Sequence, residues 1–426
     1  MSAETTSMAR VAANDPTEPA GEVLRTREQA EAYVASVCFK HGPPSLVGVE
    51  LEWLLGRPPE SAPLDVEALV AALGPHTPRT LDPQSPALPL PSGSLVTVEP
   101  GGQVELASPP LPDLEALFAA VESDTAALHT RLRAHGLQPI PLAADPTGAP
   151  RRLLNVPRYS AMEAAFDRIG PHGRSMMCST AAVQPCFDLG ERDDLWKRWT
   201  VLHAVGPVLL AAFANSPVLH GRTTGWKSSR MACWWALDPP RTAPPDLSIA
   251  DPAAGYARRA MEAGLLCLRR GDASWDAPAG VTFADWLAGA LTDKPTTADL
   301  DLHLSTLFPP VRPQGHLEVR YLDAQPGTEW VVPVAVLAAV LSTPRTIAGV
   351  LQACLPIADR WLAAAHVGLA DQELARAGVT VFTLVLEALP SVIGSGPVRD
   401  LVERVLQERA LRGRCPADGD ESEEVR

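Results

Sequence analysis

Three short segments of this chain alternate acidic or amide residues with hydrophobic ones. They are Gly48-Val-Glu-Leu-Glu-Trp53, Glu99-Pro-Gly-Gly-Gln-Val-Glu-Leu106 and His316-Leu-Glu-Val-Arg-Tyr-Leu-Asp323. Side chains along a β-strand point to opposite faces in turn, so the polar residues of each segment share one face. These pairs are Glu50 with Glu52, Gln103 with Glu105, and Glu318 with Arg320. Paired side by side, such strands would form a sheet with an apolar underside and an acidic upper face.

A single Glu-x-Glu strand is common on a solvated sheet face, but three with apolar backs favour a shared site. Carboxylates within about 4–6 Å of one another raise each other's pKa unless a cation neutralises them. Mg²⁺ and Mn²⁺ prefer carboxylate oxygens, and the chain has no His/Cys set at zinc spacing. The pattern therefore predicts a metal or phosphate site, with an ordinary solvated face as the alternative.

Composition excludes several classes of protein. The 426 residues are 46% hydrophobic and 20% charged, as expected for a soluble protein with a large core. The net charge of −14 argues against nucleic acid as a partner. The longest apolar runs, 201–214 and 330–341, are shorter than the roughly 20 residues that span a bilayer, and no secretory signal is visible. We expect a cytoplasmic protein without a membrane partner, with seven free cysteines that are mostly buried.

The sequence lacks both GxxxxGK[ST] and GxGxxG, so neither a P-loop nor a Rossmann turn is predicted. Any nucleotide phosphates would then be held through a metal ion and arginines. The segment from Gly221 to Met231 carries Arg222, Lys227 and Arg230 among hydroxyl residues. It is either a solvated loop or a segment that binds a carboxylate or phosphate of a substrate or nucleotide. Arg230 is the preferred candidate for that contact, because the apolar residues after it would hold the base of its side chain in place.

Hydrophobic periodicity predicts helices over 26–40, 65–73, 113–136 and 193–214. The segment 175–188 reads as a buried strand with Thr180 and Gln184 on one face, although Pro185 favours an edge or a bulge. The glycines of the turn Glu99-Pro-Gly-Gly102 allow a sharp bend with the backbone close to another group. From about residue 333 the chain is almost wholly helical to about 412. We therefore predict the α+β class.

Six segments in order resemble the plant-type glutamate-cysteine ligase family, and most closely its actinobacterial branch. They are Val47-Gly-Val-Glu-Leu-Glu-Trp53, Glu99-Pro-Gly-Gly-Gln-Val-Glu-Leu106, Met176-Met-Cys-Ser-Thr-Ala-Ala-Val-Gln184, Asn215-Ser-Pro217, His303-Leu-Ser-Thr-Leu-Phe-Pro-Pro-Val-Arg312 and His316-Leu-Glu-Val-Arg-Tyr-Leu-Asp323. The end of the chain, Gly413-Arg-Cys-Pro416, is also similar to that branch.

The resemblance implies a glutamine-synthetase-like catalytic fold, in which a curved, mainly antiparallel sheet forms a funnel for ATP and magnesium. By motif position, Arg320 and Arg230 would be catalytic and, with Gln184, would contact the cofactor. The implied metal ligands are Glu50, Glu52, Glu99, Glu105 and Glu318. The substrate-binding residues would be Thr180, Gln103, Arg222 and Trp226. The implied reaction is ATP-dependent joining of L-glutamate to L-cysteine, for ergothioneine biosynthesis.

Relatives continue the glutamine-bearing strand as Val-Gln-Val-Asn-Leu-Asp, whereas this chain has Val183-Gln-Pro-Cys-Phe-Asp188. A role of that Asn is therefore not carried over. Two alternatives stay open: a ligase with a different amine acceptor, and a non-catalytic nucleotide- or metal-binding relative. We expect one catalytic domain over 25–415, flanked by disordered tails at 1–24 and 416–426. The oligomeric state is left open.

Overall fold

The computed structural model describes residues 21–57, 63–271 and 274–419, and it combines antiparallel β-structure with surrounding helices. The strands are β1 (Val47–Gly56), β2 (Leu95–Val98), β3 (Val104–Ala107), β4 (Gln138–Ile140), β5 (Ala182–Phe187), β6 (Val218–Leu219), β7 (Arg222–Thr223), β8 (Val311–Pro313), β9 (Leu317–Val319) and β10 (Leu322–Asp323). The α+β prediction is confirmed.

Helices pack around the sheet and make up most of the chain after β10. The first group is α1 (Arg27–Cys38), α2 (Val66–Leu73), α3 (Leu114–Ala134), α4 (Pro157–Asp167), α5 (His172–Cys178), α6 (Leu195–Ala204), α7 (Gly206–Phe213), α8 (Ser229–Trp235), α9 (Pro239–Thr242), α10 (Pro252–Glu262), α11 (Phe283–Ala288) and α12 (Thr297–Leu304). The C-terminal group is α13 (Val331–Leu341), α14 (Pro344–Cys354), α15 (Trp361–Val367), α16 (Gln372–Ala388) and α17 (Pro397–Glu408).

The main sheet has the strand order β2-β3-β1-β5-β9-β8, and each of its pairs is antiparallel. Strand β4 pairs with the end of β1, and β10 pairs with β5. The three acidic segments predicted from the sequence are β1, the β2–β3 turn with β3, and β9 with β10. They lie in one sheet, with β5 between β1 and β9. Their apolar faces join a continuous hydrophobic core with the helices.

Two predicted elements were wrong in detail. Residues 175–178 belong to helix α5 rather than to a strand, because an apolar run by itself does not distinguish a buried strand from a buried helix. The helix predicted over 193–214 is two helices, with Gly206 and Pro207 opening the second. A Cβ on Gly206 would lie 1.9 Å from the Trp361 ring, so this residue allows close contact with α15.

The packed chain extends beyond the predicted limits of 25–415. Val23 forms a β-bridge with Thr296, Leu24 is buried, and residues 416–418 form a short 3₁₀ turn. The remainder of the two predicted tails, 1–20 and 420–426, lies outside the described residues. All seven cysteines are buried free thiols, as predicted.

In the described ranges, one helix, Gln372–Ser391, is long and apolar enough to cross a membrane, and a bent pair covering 327–357 would make a second. The inner side of α16, including Leu374, Val381 and Phe382, is fully buried against neighbouring helices. We therefore interpret it as a core helix.

Candidate functional site

The carboxylates of the acidic segments share one face of the sheet. Glu52 of β1 lies directly opposite Glu105 of β3, and Glu105 in turn lies opposite Thr97 of β2. On the other side of β1, Glu50 is paired with Gln184 of β5. Because cross-strand partners and alternate residues share a face, the sequence-predicted residues converge in this row.

A glycine turn carries the last of these carboxylates. The amide of Gly102 donates to the carbonyl of Glu99, and Gly102 has a φ of +94° that favours glycine. A Cβ on Gly101 would lie 2.3 Å from the carbonyl oxygen of Cys178, so the turn packs directly on the end of α5. The close backbone contact predicted for this turn is confirmed, and it holds Glu99 beside the row.

Four of the carboxylates repel one another. Burial raises the pKa of Glu50 well above its usual range, and the charges of Glu105 and Glu318 raise it further. Burial and the charges of Glu99 and Glu105 likewise raise the pKa of Glu52 well above its usual range. Burial also raises the pKa of Glu99, and it raises that of Glu105 to about 7 with help from the charge of Glu99. The face is therefore an incompletely neutralised anionic surface.

Glu318 is held differently, between two arginines. Its oxygens accept hydrogen bonds from Arg312 Nε and Nη2, both at 2.9 Å, and Oε1 also accepts one from Arg320 Nη1. Burial opposes ionisation, yet the charges of Arg312 and Arg320 lower the pKa of Glu318 to about 2. Sequence reasoning missed Arg312 as a site residue. Its signal was the short Gly-containing turn after Pro313, which predicts a hairpin with Arg312 opposite Glu318.

Arg320 lies on a β-bulge. Between the pairs Cys186 with Glu318 and Val183 with Leu322, two residues of β5 face three of the opposite strand, with Arg320 in their middle. One of those two is Pro185, which has no N–H to donate. Its partner on β1, Val49, is bonded to Ser108 instead. The Val49 N–H donates to Ser108 Oγ and the Val49 carbonyl accepts from the Ser108 N–H, both at 3.0 Å. Pro185 therefore lies inside the sheet opposite a bulge rather than at an edge, and the bulge aims Arg320 away from the regular ladder.

Arg230 lies behind the bulge and is only 2% exposed. Its Nη2 donates to the carbonyl of Arg320 at 2.7 Å, and its Nη1 lies 3.6 Å from Asp323 Oδ1. Asp323, which sequence reasoning also missed, is fully buried and accepts from the Asn215 amide at 2.8 Å and from Ser216 Oγ at 2.7 Å. Ser228 Oγ donates to its other oxygen at 2.9 Å. This buried network joins the Asn-Ser-Pro turn and α8 to the strand that carries Arg320.

Two glutamines contribute buried acceptors. Gln184 Nε2 donates to Glu52 Oε1 at 2.8 Å and to Glu50 Oε2 at 3.3 Å, and its Oε1 has no hydrogen-bond partner among the described residues. Gln103 Nε2 donates to the carbonyl of Thr180 at 2.9 Å, and its Oε1 is likewise unpaired. The Thr180 hydroxyl donates to the carbonyl of Met176 at 2.7 Å. Gln103 and Thr180 thus connect β3 to the end of α5.

The remaining predicted substrate residues lie on the β6–β7 hairpin and the segment after it. Arg222 is exposed on β7, opposite Leu219. The Trp226 ring contacts His366 of α15 with centroids 4.7 Å apart. The structure gives no contact of either residue with the carboxylate row. A cleft between Trp199, Tyr256 and Pro309 lies elsewhere and is lined by none of the predicted residues.

The donor chemistry fits a hard divalent cation. Glu50, Glu52, Glu99 and Glu105 offer anionic oxygens, and Gln184 adds an unpaired buried carbonyl oxygen. Such oxygen-only sets suit Mg²⁺ or Mn²⁺. Within residues 21–57, 63–271 and 274–419, however, no three acidic, His or Cys side chains already converge on one point as a metal cage would require. A cation here would draw the carboxylates together.

The chain matches the glutamate-cysteine ligase family 2 (GCS2) over residues 46–419. It is 38% identical to glutamate-cysteine ligase EgtA of Mycolicibacterium smegmatis, over 92% of this chain and 90% of that protein. It is 37% identical to EgtA of Mycobacterium tuberculosis, with 91% and 88% covered, and 28% identical to the chloroplastic glutamate-cysteine ligase of Medicago truncatula, with 73% and 60% covered. The chain belongs to glutamate-cysteine ligase family 2, and the resemblance found in the sequence is confirmed.

A solved structure of the same fold is the glutamate-cysteine ligase of Francisella tularensis in complex with AMP. Its TM-score is 0.52 at 14% identity, with 89% of this chain and 84% of that one covered. A bifunctional glutathione synthetase from Pasteurella multocida gives 0.54 at 14% identity, with 93% and 51% covered. Both show that the mixed helix and antiparallel-sheet architecture is that of ligases of this kind.

Proposed function

We propose that this protein is a glutamate-cysteine ligase that joins the γ-carboxylate of L-glutamate to the amine of L-cysteine at the expense of ATP. The observation that carries the proposal is the row of four mutually repelling carboxylates beside the Glu318-bound Arg320, in a member of this ligase family. Its similarity to the EgtA enzymes over nine-tenths of the chain favours cysteine as the acceptor and ergothioneine biosynthesis in the cytoplasm as the setting.

The proposed reaction has two steps. The γ-carboxylate of glutamate attacks the γ-phosphorus of ATP, which releases ADP and gives γ-glutamyl phosphate. The amine of cysteine then attacks the acyl carbon, phosphate leaves, and the proton of the amine is lost to solvent or to a base. Arg320 is the cation aimed at the transferred phosphoryl group, and Glu318 and the bulge fix its direction. Catalysis thus consists of positioning and charge stabilisation, without a protein nucleophile.

Glu50, Glu52, Glu99 and Glu105, with Gln184, would hold the magnesium. Glu318 is the fifth ligand implied by the resemblance, but both of its oxygens are occupied by arginines here. The metal would neutralise the triphosphate and so allow an acidic surface to bind an anionic nucleotide. The protein supplies carboxylate and amide oxygens on one face of the sheet and, through Arg312 and Arg320, a positive boundary to the acidic row.

The test is product identification. The purified protein is incubated with ATP, Mg²⁺ and glutamate against a panel of amines, and products are weighed by mass spectrometry while ADP is measured. A mass for γ-glutamylcysteine, with cysteine preferred over other amines, is expected. A different γ-glutamyl product would identify a ligase with another acceptor. Nucleotide binding without glutamate-dependent ADP formation would reject the ligase proposal in favour of a non-catalytic relative.

Magnesium should stabilise this protein more at pH 8 than at pH 6. The folded state raises the pKa of Glu105 to about 7 and shifts those of Glu50 and Glu52 in the same direction. Ionisation of Glu105 therefore costs stability as the pH rises from about 4.5 through about 7, and ionisation of Glu50 and Glu52 costs stability in the same sense. A bound cation removes that cost, and it does so only where the carboxylates are ionised.

Thermal unfolding of the wild type, with and without MgCl₂, measures this effect. The control is sodium chloride at the same ionic strength, which screens the surface charge of an acidic protein without filling a site. An increase in the unfolding temperature that is equal at both pH values, or equal for the two salts, would contradict magnesium binding at these carboxylates.

A further inference from the structure

Trp234, at the end of α8, lies against two arginines near the site, the buried Arg230 and the largely buried Arg320. The Cζ atom of Arg230 is 5.1 Å from the centroid of the indole ring, and that of Arg320 is 5.4 Å away. The ring is only 4% exposed and packs edge-on against Phe308 at a centroid distance of 5.8 Å. One aromatic side chain therefore contacts two guanidinium groups.

The contact matters most for Arg320. Its Nη1 is bound to Glu318, but its Nε is buried and has no hydrogen-bond partner among the described residues. Hydrogen bonding to Glu318 alone fixes one end of the planar guanidinium. The negative face of an indole attracts a cation within about 6 Å, and most strongly where water is excluded. Trp234 supplies the second restraint on the orientation of this group.

The two guanidinium groups that this ring contacts carry like charges. Arg230 is partly compensated by Asp323, which lies 3.6 Å from its Nη1. Without an aromatic face in this buried space, Arg320 would be free to turn away from Arg230 and from the carboxylate row. A smaller apolar side chain would leave room for that movement, since a void gives no contact to hold the group.

We propose that Trp234 is a positioning residue that holds the Arg320 guanidinium toward the reacting phosphoryl group. The inference rests on the proposed ligase function and adds a residue to its machinery. It predicts an effect on turnover beyond the effect on folding that any buried tryptophan would have.

Trp235 is a matched control in the same helix. Its indole contacts Trp361 edge-on at 5.7 Å, much as Trp234 contacts Phe308, and both indole N–H groups are buried without a hydrogen-bond partner in the described part of the chain. In the same ranges Trp235 makes no cation–π contact. Trp235 is partly buried, so its substitution reports a packing cost without the loss of a cation–π contact.

The experiment compares Trp234→Leu, Trp234→Phe and Trp235→Leu with the wild type. Thermal unfolding gives the fraction of each variant that is folded at the assay temperature, and kcat is calculated per folded molecule. Loss of the indole face should lower kcat of Trp234→Leu about tenfold, with KM for ATP and glutamate changed less than about threefold. Trp234→Phe, which keeps an aromatic face, should recover most of kcat. Trp235→Leu should lose thermal stability but keep kcat. If Trp234→Leu does not fold, Trp234→Met replaces it.

A double-mutant cycle with Arg320→Lys supplies a second measurement. If Trp234 acts through Arg320, the lysine substitution should lower kcat by a smaller factor in Trp234→Leu than in the wild type. Multiplicative losses, a wild-type kcat in folded Trp234→Leu, or an equal loss in Trp235→Leu would each overturn the proposal. A wild-type protein that forms no ADP with glutamate would instead reject the ligase function, so the two failures are distinguishable.

Discussion

Glu318→Gln is expected to abolish ligase turnover and to lower the free energy of unfolding by about 3–5 kcal/mol, the usual cost of removing one partner of a buried ion pair. Glu318 is 1% exposed, and its carboxylate is the acceptor for both Arg312 and Arg320. A neutral amide removes the charged acceptor to which two largely buried guanidinium groups are bound. Arg320 also loses the group that directs it, so the variant should fail in catalysis even where it is folded.

The matched control is Asp124→Asn, which removes another buried carboxylate. Asp124 is fully buried on α3 and accepts from the amides of Ser92 at 2.6 Å and Ser94 at 3.0 Å. Its loss should cost about 1–3 kcal/mol and leave kcat unchanged, because its carboxylate is bonded to the amides of Ser92 and Ser94 and not to a residue of the acidic row. Urea unfolding and steady-state kinetics measure both variants. A Glu318→Gln protein as stable as the wild type would contradict the proposed charge balance.

The pH dependence of the wild type gives an independent check. The folded protein lowers the pKa of Glu318 to about 2, so this carboxylate contributes stability at pH values above its unfolded pKa of about 4.5. That contribution is lost as the pH falls from 4.5 toward 2. The difference in stability between the wild type and Glu318→Gln should therefore shrink over this interval and nearly vanish below it.

The sequence predicted the parts of the site that depend on local periodicity. Alternation in β1, β3 and β9 put Glu50, Glu52, Glu105 and Glu318 on polar faces, since a strand has a period of two residues. The opposite faces of these strands are apolar and must be buried in a core, so the strands were predicted to lie side by side in one sheet. The Gly-rich turn that carries Glu99 was predicted from a different local signal, because few residues other than glycine adopt its backbone geometry.

Contacts between residues far apart in the sequence could not be predicted in this way. The Asp323 network joins residues more than 90 positions apart, through hydrogen bonds from Asn215, Ser216 and Ser228 that leave no local pattern. The contact of Trp234 with Arg320 depends likewise on how α8 packs against the bulge. Residues 175–178 of helix α5 were mistaken for part of a strand because all four are buried, and a fully buried run this short does not show a helical period. Local periodicity thus predicts which face is charged, and tertiary packing decides which charges are paired.

Glu105→Gln should have opposite effects on activity and stability. In metal-free buffer at pH 8 we expect the free energy of unfolding to rise by about 1–3 kcal/mol, while ligase turnover is lost. Burial and the charge of Glu99 raise the pKa of Glu105 to about 7, so its ionised form destabilises the folded state at pH 8. A glutamine removes that charge, keeps an oxygen that can accept from the Thr97 hydroxyl, and no longer provides an anionic metal ligand.

The pH profile and a charge-matched control distinguish this explanation from a general reduction of negative charge. Stabilisation by Glu105→Gln should be absent near pH 4.5, grow as the pH rises to about 7, and stay constant above it, because the wild-type carboxylate is protonated in both states at low pH. Glu408→Gln, at an exposed position of α17, changes the net charge equally and should show almost no gain. Added Mg²⁺ should reverse the order of stability at pH 8, since only the wild type has the full carboxylate set. A Glu105→Gln variant that is less stable than the wild type in metal-free buffer at pH 8 would contradict this explanation. It would show that the Glu105 carboxylate stabilises the fold, and that the acidic row is a structural feature rather than a metal site that lowers the stability of the metal-free protein.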